Sequence, residues 1–237
     1  MALHKNFPKD KFQILDPAIR WFPAEEDLRK EGYEKLLPPF VPELRDKVAK
    51  WRKENYEGAS ETSKALLNWW FKEPHTIYAK DGTNIAFQYY YAQREAVETI
   101  IWLYDVQAAR NKLDLIPFDK LGRVSANMFD EDWLRFVIKM ATGSGKTKVM
   151  SLLLAWSYFH KLYEENSELS KNFLLITPNI IVLDRIKADF EGLKIFFWET
   201  THIGFVVYPD WLSKLYNNEA FNQTLKCIMA FLSSLVV

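Results

Sequence analysis

The segment that most constrains this chain is Met140-Ala141-Thr142-Gly143-Ser144-Gly145-Lys146-Thr147. The apolar run Phe136-Val137-Ile138 precedes it, and an amphipathic stretch from Lys148 to Glu165 follows it. This order predicts a strand, a glycine turn and a helix, which is the setting of a phosphate-binding loop. Glycine tolerates positive φ, so successive amide N–H groups can converge on phosphate oxygens at the positive end of the helix.

The residue types in this loop predict a division of roles. Lys146 is expected to place its ammonium near the β- and γ-phosphates, and the Thr147 hydroxyl is expected to ligate Mg²⁺. The rest of the predicted nucleotide-binding loop consists of Thr142, Gly143, Ser144 and Gly145. The alternative interpretation is an ordinary glycine-rich turn between a strand and a helix.

Composition limits the class of protein. The chain has 237 residues, of which 49% are hydrophobic, and nine tryptophans, so it can bury a sizeable core. Its formal net charge is zero, so the chain as a whole does not attract nucleic acid, and any nucleic-acid-binding site must be a local basic patch. Cys227 is the single cysteine, and no apolar run is long enough for a membrane helix, so we expect a reducing, cytoplasmic location.

The chain before the loop divides into two predicted parts. Residues 1–74 read as an amino-terminal extension, mainly helical and rich in proline and aromatic residues, and residues 75–237 as an incomplete motor domain. Helices are predicted at 25–35, at 42–52 with Leu44, Val48 and Trp51 on one apolar face, and after Ser60, a candidate N-cap. His75 to Ala79 and Asn84 to Phe87 flank Asp81-Gly82 and predict a β-hairpin. A strong helix is predicted next, from Tyr89 to Asp105, with apolar positions such as Val97 and Leu103 and with Gln93, Arg94, Glu95 and Glu98 polar.

After the loop, helical and strand patterns alternate. Asn172 to Pro178 predicts a second parallel strand, and Ile180 to Phe190 predicts an amphipathic helix. Short strands are also predicted at 194–198 and 204–208, whereas 111–132 reads as a loop. Such alternation predicts an α/β fold with a parallel sheet covered by helices.

Three segments together carry a resemblance to a known family. They are Tyr90-Tyr91-Ala92-Gln93-Arg94-Glu95-Ala96-Val97-Glu98, the Met140–Thr147 loop and Leu175-Ile176-Thr177-Pro178-Asn179. They resemble the opening of a superfamily 2 DEAD/DEAH-type helicase, most of all the helicase subunits of type III restriction enzymes. The resemblance runs from about Trp21 to Phe197. It implies a partial RecA-like P-loop NTPase domain that uses ATP and Mg²⁺, with DNA and a DNA methyltransferase subunit as partners.

The resemblance also implies roles for residues outside the loop. Gln93 matches the glutamine that reads adenine, a role suited to a carboxamide because it offers both a donor and an acceptor. Arg94 would assist by stacking or by touching phosphate. Thr177, Pro178 and Asn179 match a motif that touches the DNA backbone, and Arg185 would add a phosphate contact. The alternatives are solvated helix side chains for Gln93, Arg94 and Arg185, and a plain strand-to-helix turn capped by Asn179.

One part of the family pattern is missing from the sequence. After Thr177 no acidic pair ends an apolar strand, as Mg²⁺ binding and turnover would require, and Phe129-Asp130-Glu131-Asp132 precedes the loop and is rejected for that role. We therefore expect this chain to be the amino-terminal part of a longer protein. We also expect the chain to bind Mg·ATP but to hydrolyse it poorly. Two other functions stay open, a P-loop kinase or transferase and a non-catalytic module that binds nucleotide or DNA. The four histidines show no spacing for zinc.

Overall fold

The computed structural model describes residues 12–13, 38–78, 83–125, 127, 136–177 and 180–190. Two compact units emerge, one drawn from Met1–Ala59 and Tyr90–Ser144, the other from Ser60–Tyr89 and Gly145–Val237. The predicted boundary between residues 74 and 75 stays a prediction. The elements are α1 (Val41–Lys53), α2 (Glu61–Phe71), β1 (His75–Tyr78), β2 (Asn84–Phe87), α3 (Tyr91–Asp105), the 3-10 helix η1 (Lys112–Phe118), α4 (Lys146–Tyr163) and α5 (Ile180–Phe190).

The first unit is built on the packing of α1 against α3. The apolar face predicted for α1 is confirmed, since Leu44, Val48 and Trp51 are all buried. Phe118, at the end of η1, is buried too, and its ring lies 5.7 Å from that of Trp102. These contacts make one continuous core in this unit.

The prediction of a loop over residues 111–132 is wrong for its first part, because Lys112–Phe118 forms η1. Asn111 and Asp114 explain the difference, because their side chains accept hydrogen bonds from backbone N–H groups at the start of η1. The Asn111 carboxamide oxygen accepts from the Leu113 N–H at 2.8 Å, and the Asp114 carboxylate accepts from the Asn111 N–H at 2.9 Å. These two bonds satisfy amides that would otherwise lack partners at the start of a helix.

Helix α3 departs from its predicted amphipathic pattern. Val97 and Leu103 are buried as expected, but so are Gln93, Glu95 and Glu98, which the pattern placed on a polar face. Charged side chains are rarely buried unless they are paired. Arg94, a partner of Glu98, lies four residues earlier on the same helix, but Arg45 and Arg52, which pair with Glu95 and Glu98, lie on α1, where the helical pattern of α3 gives no sign of them.

The second unit centres on α2 and α4, which pack on each other. Ser60 caps α2 as predicted, its hydroxyl accepting from the Ser63 N–H at 3.2 Å. The Trp156 indole N–H of α4 donates to the Ser63 hydroxyl at 2.7 Å, and the Glu164 carboxylate accepts from the Thr62 N–H at 2.9 Å. The start of α2 is therefore fixed to α4 by hydrogen bonds as well as by apolar contact.

The predicted β-hairpin is confirmed. β1 and β2 pair antiparallel, with His75 opposite Phe87 and Thr76 opposite Ala86. The turn residues Asp81 and Gly82 lie outside the described residues. The His75 ring nitrogen lies 2.6 Å from the Trp69 carbonyl, so this histidine is used in packing the hairpin on the end of α2.

The predicted parallel sheet is not formed in the described part of the chain, where the hairpin is the only sheet. Residues 136–138 and 172–177 have irregular backbone, so the strand predictions there were wrong. Val137 is 90% exposed and Ile176 is 79% exposed. An apolar run becomes a strand only when a neighbouring strand satisfies its backbone groups, and neither run has such a neighbour among the described residues. The strands predicted at 194–198 and 204–208 lie outside the described residues.

The Ser60 cap gives a direct test of this packing. We expect Ser60→Ala to lower the free energy of unfolding by about 1 kcal/mol, because the Ser63 N–H loses its acceptor. Urea unfolding followed by tryptophan fluorescence would measure the change. Ser60→Asp is the matched control, since aspartate is an equally good N-cap, and an equal loss in both variants would contradict the capping role.

Candidate functional site

The backbone of the glycine-rich loop has the geometry that the sequence predicts. Gly143 and Gly145 both adopt left-handed conformations, with φ of 78° and 81°. Between them the chain turns tightly, and the Ser144 N–H and hydroxyl both donate to the Ala141 carbonyl, at 3.3 and 2.6 Å. Left-handed φ is costly for residues with a Cβ, so both glycines are needed for this turn.

Helix α4 begins at Lys146, directly after the turn. The Gly145 carbonyl accepts from the N–H groups of Lys148 and Val149 at 3.0 and 3.2 Å, which closes the first turn of the helix. No side chain caps this helix, and its first turn has no acidic residue. The first turn of the helix therefore carries no carboxylate of its own to neutralise the positive end of the helix dipole, an arrangement that favours an anion.

The loop is accessible to a ligand. Thr142, Gly143 and Lys146 are exposed, and Thr147 is half-buried. A Cβ added at Gly143 would meet no atom within 4 Å, so there is open space beside the turn. Among the described residues, the backbone at Gly143 is therefore open on the side where a Cβ would lie.

Lys148 differs from Lys146 in its surroundings. Burial lowers the pKa of Lys148 to about 8, although the nearby Asp189 of α5 raises it. Burial also raises the pKa of Asp189, against the opposing effect of Lys148. Lys148 thus lies within electrostatic reach of Asp189 on α5, whereas Lys146 is exposed.

Gln93 has a structural role in α3. Its carboxamide oxygen accepts from the Tyr90 N–H at 2.9 Å, which caps the helix, and the residue is only 6% exposed. The carboxamide oxygen is thereby held by the backbone of its own helix. The assignment of Gln93 to adenine stays a prediction.

Arg94 belongs to a buried ionic network, which we call the Glu98 network and which consists of Arg52, Tyr56, Arg94 and Glu98. The Glu98 carboxylate is fully buried and accepts from Arg52 at 2.8 Å, from Arg94 at 2.8 Å and from the Tyr56 hydroxyl at 2.7 Å. Arg94 also donates to the Tyr56 oxygen at 2.9 Å.

Two pKa values reflect the Glu98 network. Burial and the neighbouring Glu98 charge raise the pKa of Tyr56. Burial alone would lower the pKa of Arg94, but the Glu98 carboxylate more than offsets this, so the pKa of Arg94 is raised. Both groups keep their ordinary protonation states at neutral pH. The predicted contact of Arg94 with nucleotide stays a prediction, and the geometry shows Arg94 bonded to Glu98 and to Tyr56, while Arg52 joins α1 to α3.

A cavity of about 970 Å³ lies within the first unit. One wall is a face of α3 whose residues are buried or half-buried, and another is formed by residues 136–141 together with Ser144, which lead into the loop. The lining is mainly apolar, and its charged groups include Arg45 of α1 and Glu95 of α3, whose Nε and carboxylate oxygen lie 3.0 Å apart. The sequence interpretation missed both residues. The spacing of Ala92, Glu95, Ala96 and Thr99 was the available signal, since these residues share one face of a helix.

The residues predicted to contact DNA are only partly described. Thr177 is half-buried at the end of an irregular segment, and Arg185 is exposed on α5 in the same unit. Pro178 and Asn179 lie outside the described residues. The DNA contacts of all four residues therefore stay predictions.

The comparisons with known proteins identify the family. Residues 86–227, more than half of the chain, match the family described as "Type III restriction enzyme, res subunit". The chain belongs to this family. The matched region includes α3 and the glycine-rich loop, and membership implies a helicase-like domain of RecA-like fold. No curated protein and no solved structure matches the chain.

The described residues contain neither a metal-binding cluster nor a membrane-spanning helix. No group of three or more histidine, cysteine, aspartate or glutamate side chains in those residues could hold a metal ion. Among the same residues no helix has the length and apolar character that crossing a membrane requires.

Gly143 offers a test of the loop conformation. We expect Gly143→Val to weaken binding of Mg·ATP at least about tenfold, because a β-branched residue at this φ costs about 1–2 kcal/mol and would pull the turn open. Gly143→Asn is the matched control, since asparagine tolerates left-handed φ, and we expect it to bind nearly as well as the unchanged chain. Titration with a fluorescent ATP analogue measures both, and equal weakening in the two variants would contradict a role for backbone conformation.

The Glu98 network gives a second test. We expect Glu98→Ala to lower the free energy of unfolding by about 3–5 kcal/mol, because it leaves two arginines partly buried without their carboxylate. Glu54 is the control: its ion pair with Lys50 is 3.7 Å long and exposed, so Glu54→Ala should cost at most about 0.5 kcal/mol. Urea unfolding compares the two, and a loss below about 1 kcal/mol in Glu98→Ala would show that the network does not hold α1 to α3.

Proposed function

We propose that this chain binds Mg·ATP through residues 142–147 and is the ATP-binding part of an ATP-dependent DNA helicase or translocase that serves restriction. One observation carries the proposal: two left-handed glycines lead directly into a helix whose first turn has no acidic residue. This geometry occurs in a chain that belongs to the type III restriction enzyme res family. A phosphate-binding role for the same segment follows independently from the sequence pattern.

The chemistry assigns separate tasks within the loop. Backbone N–H groups around Gly143 and Gly145 would bind the phosphate oxygens, and the Lys146 ammonium would neutralise charge on the β- and γ-phosphates. The Thr147 hydroxyl would be a ligand of Mg²⁺, which bridges the same phosphates when it is bound. In this scheme Lys146 and Thr147 are the two residues of the loop that act on the reacting phosphate group.

The DNA and the partner subunit complete the proposal. Thr177, Pro178 and Asn179 would hold the sugar-phosphate backbone of DNA, with Arg185 adding a charged contact. A DNA methyltransferase subunit would be the protein partner, as in the restriction enzymes of this family. ATP binding would then be coupled to movement along DNA.

Lys146 provides the decisive variant. We expect Lys146→Ala to weaken Mg·ATP binding by a factor of at least about 30, because a charge-assisted contact with phosphate is worth about 2 kcal/mol or more. The fold should be unaffected, since Lys146 is exposed. Isothermal titration calorimetry measures the affinity, and thermal unfolding checks the fold.

Lys171→Ala is the matched control for charge. Lys171 is also an exposed lysine of the second unit, but it lies outside the loop. We expect this variant to bind Mg·ATP like the unchanged chain. Equal affinities for the Lys146 and Lys171 variants would reject the proposed nucleotide site.

A further inference from the structure

We propose that the cavity of the first unit binds an organic anion with an apolar body, such as a carboxylate or sulfonate on an aromatic ring system. The described residues that line it come from α1, α3, η1 and the segment 136–144, all within the first unit. No residue of α4 belongs to this lining. Such binding would be independent of the proposed binding of Mg·ATP.

The cavity has the size of a ligand site. Its volume of about 970 Å³ lies near the upper end of the roughly 300–1,000 Å³ that is usual for small-molecule sites. Protein interiors are close-packed, and voids larger than one water molecule are few. A space of this size within one unit is therefore better explained as a binding site than as a packing defect.

The described walls of the cavity are mainly apolar. Aromatic rings come from Phe40, Tyr90, Tyr91 and Phe136. Val137 also lines the cavity and is 90% exposed, and Phe136 is 38% exposed. Contact with an apolar ligand body would remove these side chains from water, which is favourable in free energy.

The charged groups of the described lining are mostly cationic. They are Arg45, Lys112, Lys139 and Glu95. The Glu95 carboxylate lies 3.0 Å from the Arg45 Nε, so the one acidic side chain of this lining is already paired with a cation. Lys112 and Lys139 leave the described lining with an excess of two positive charges.

The two lysines lie on different walls. Lys112 begins η1 and is half-buried, whereas Lys139 lies in the 136–141 segment and is exposed. Positive groups on walls of low dielectric constant concentrate the field within a cavity and attract an anion. The same field disfavours a cationic ligand, and a neutral ligand gains apolar contact only. Charge complementarity therefore selects an anion among ligands of equal apolar area.

Two dyes with one aromatic body provide the test. Anilinonaphthalene sulfonate carries a sulfonate, and phenylnaphthylamine is its neutral counterpart. In fluorescence titrations of the full chain, we expect the sulfonate to bind at least about tenfold more tightly than the neutral dye. Its affinity should fall as salt is added, because Lys139 is exposed to screening.

Removing the two lysines should affect only the charged dye. We expect the double variant Lys112→Met with Lys139→Met to bind the sulfonate about tenfold more weakly and the neutral dye within about twofold of the unchanged chain. Lys50→Met with Lys53→Met is the matched control. It removes the same charge from exposed positions of α1 that do not line the cavity, and both dyes should bind it like the unchanged chain.

Filling the cavity should affect both dyes. Ala96 is half-buried on α3 and lines the cavity, so we expect Ala96→Trp to weaken each dye at least about tenfold. Ala188→Trp is the control, because it adds the same side chain at an exposed position of α5. Thermal unfolding checks that Ala96→Trp is folded. If overpacking prevents this, the lysine variants decide alone.

Three results would overturn the proposed anion site. Equal affinities for the two dyes would show that charge is not recognised, and an unchanged sulfonate affinity without Lys112 and Lys139 would show that these lysines do not recognise it. Weakening of the sulfonate by Lys146→Ala but not by Ala96→Trp would place the dye at the glycine-rich loop. A chain that binds Mg·ATP and neither dye would reject the anion site and leave the proposed function intact.

Discussion

The buried carboxylate of Glu98 is the interaction on which the first unit depends. It accepts hydrogen bonds from two arginines and a tyrosine, and it joins α1 to α3 where apolar contact alone would leave their relative rotation weakly fixed. A buried charge is tolerated only when its partners are correctly placed, so the network permits few alternative packings. By fixing α3, it also fixes the wall of the cavity that carries Glu95.

The sequence predicted the local features of the fold well. The glycine loop, the Ser60 cap, the hairpin and the main helices all depend on residues close together in the chain, so short-range pattern was sufficient. The wrong predictions concern residues whose interaction partners lie far away in the chain. Glu95 and Glu98 were placed on the polar face of α3 because Arg45 and Arg52, the α1 residues that pair with them, are distant in the chain. The runs at 136–138 and 172–177 read as strands, yet a strand requires neighbours that local pattern cannot supply.

The residues described around the candidate site show the same contrast between what the sequence could predict and what it could not. The backbone conformation of residues 142–147 could be predicted because left-handed glycines and a following helix are encoded in consecutive residues. Arg45 and Glu95 could not, because their pairing depends on how two helices pack. The glycine-rich loop is therefore encoded by neighbouring residues, whereas the ion pair that lines the cavity results from the packing of α1 on α3.

Hydrogen–deuterium exchange on the full chain, with and without Mg·ATP, would test the central claim most directly. We expect slower exchange in peptides that cover 142–147, because their amide N–H groups would bind phosphate, and we expect no such slowing in the Lys146→Ala variant. Saturation of the chain with Mg·ATP while exchange in this loop stays unchanged would contradict the claim, and would place any nucleotide elsewhere.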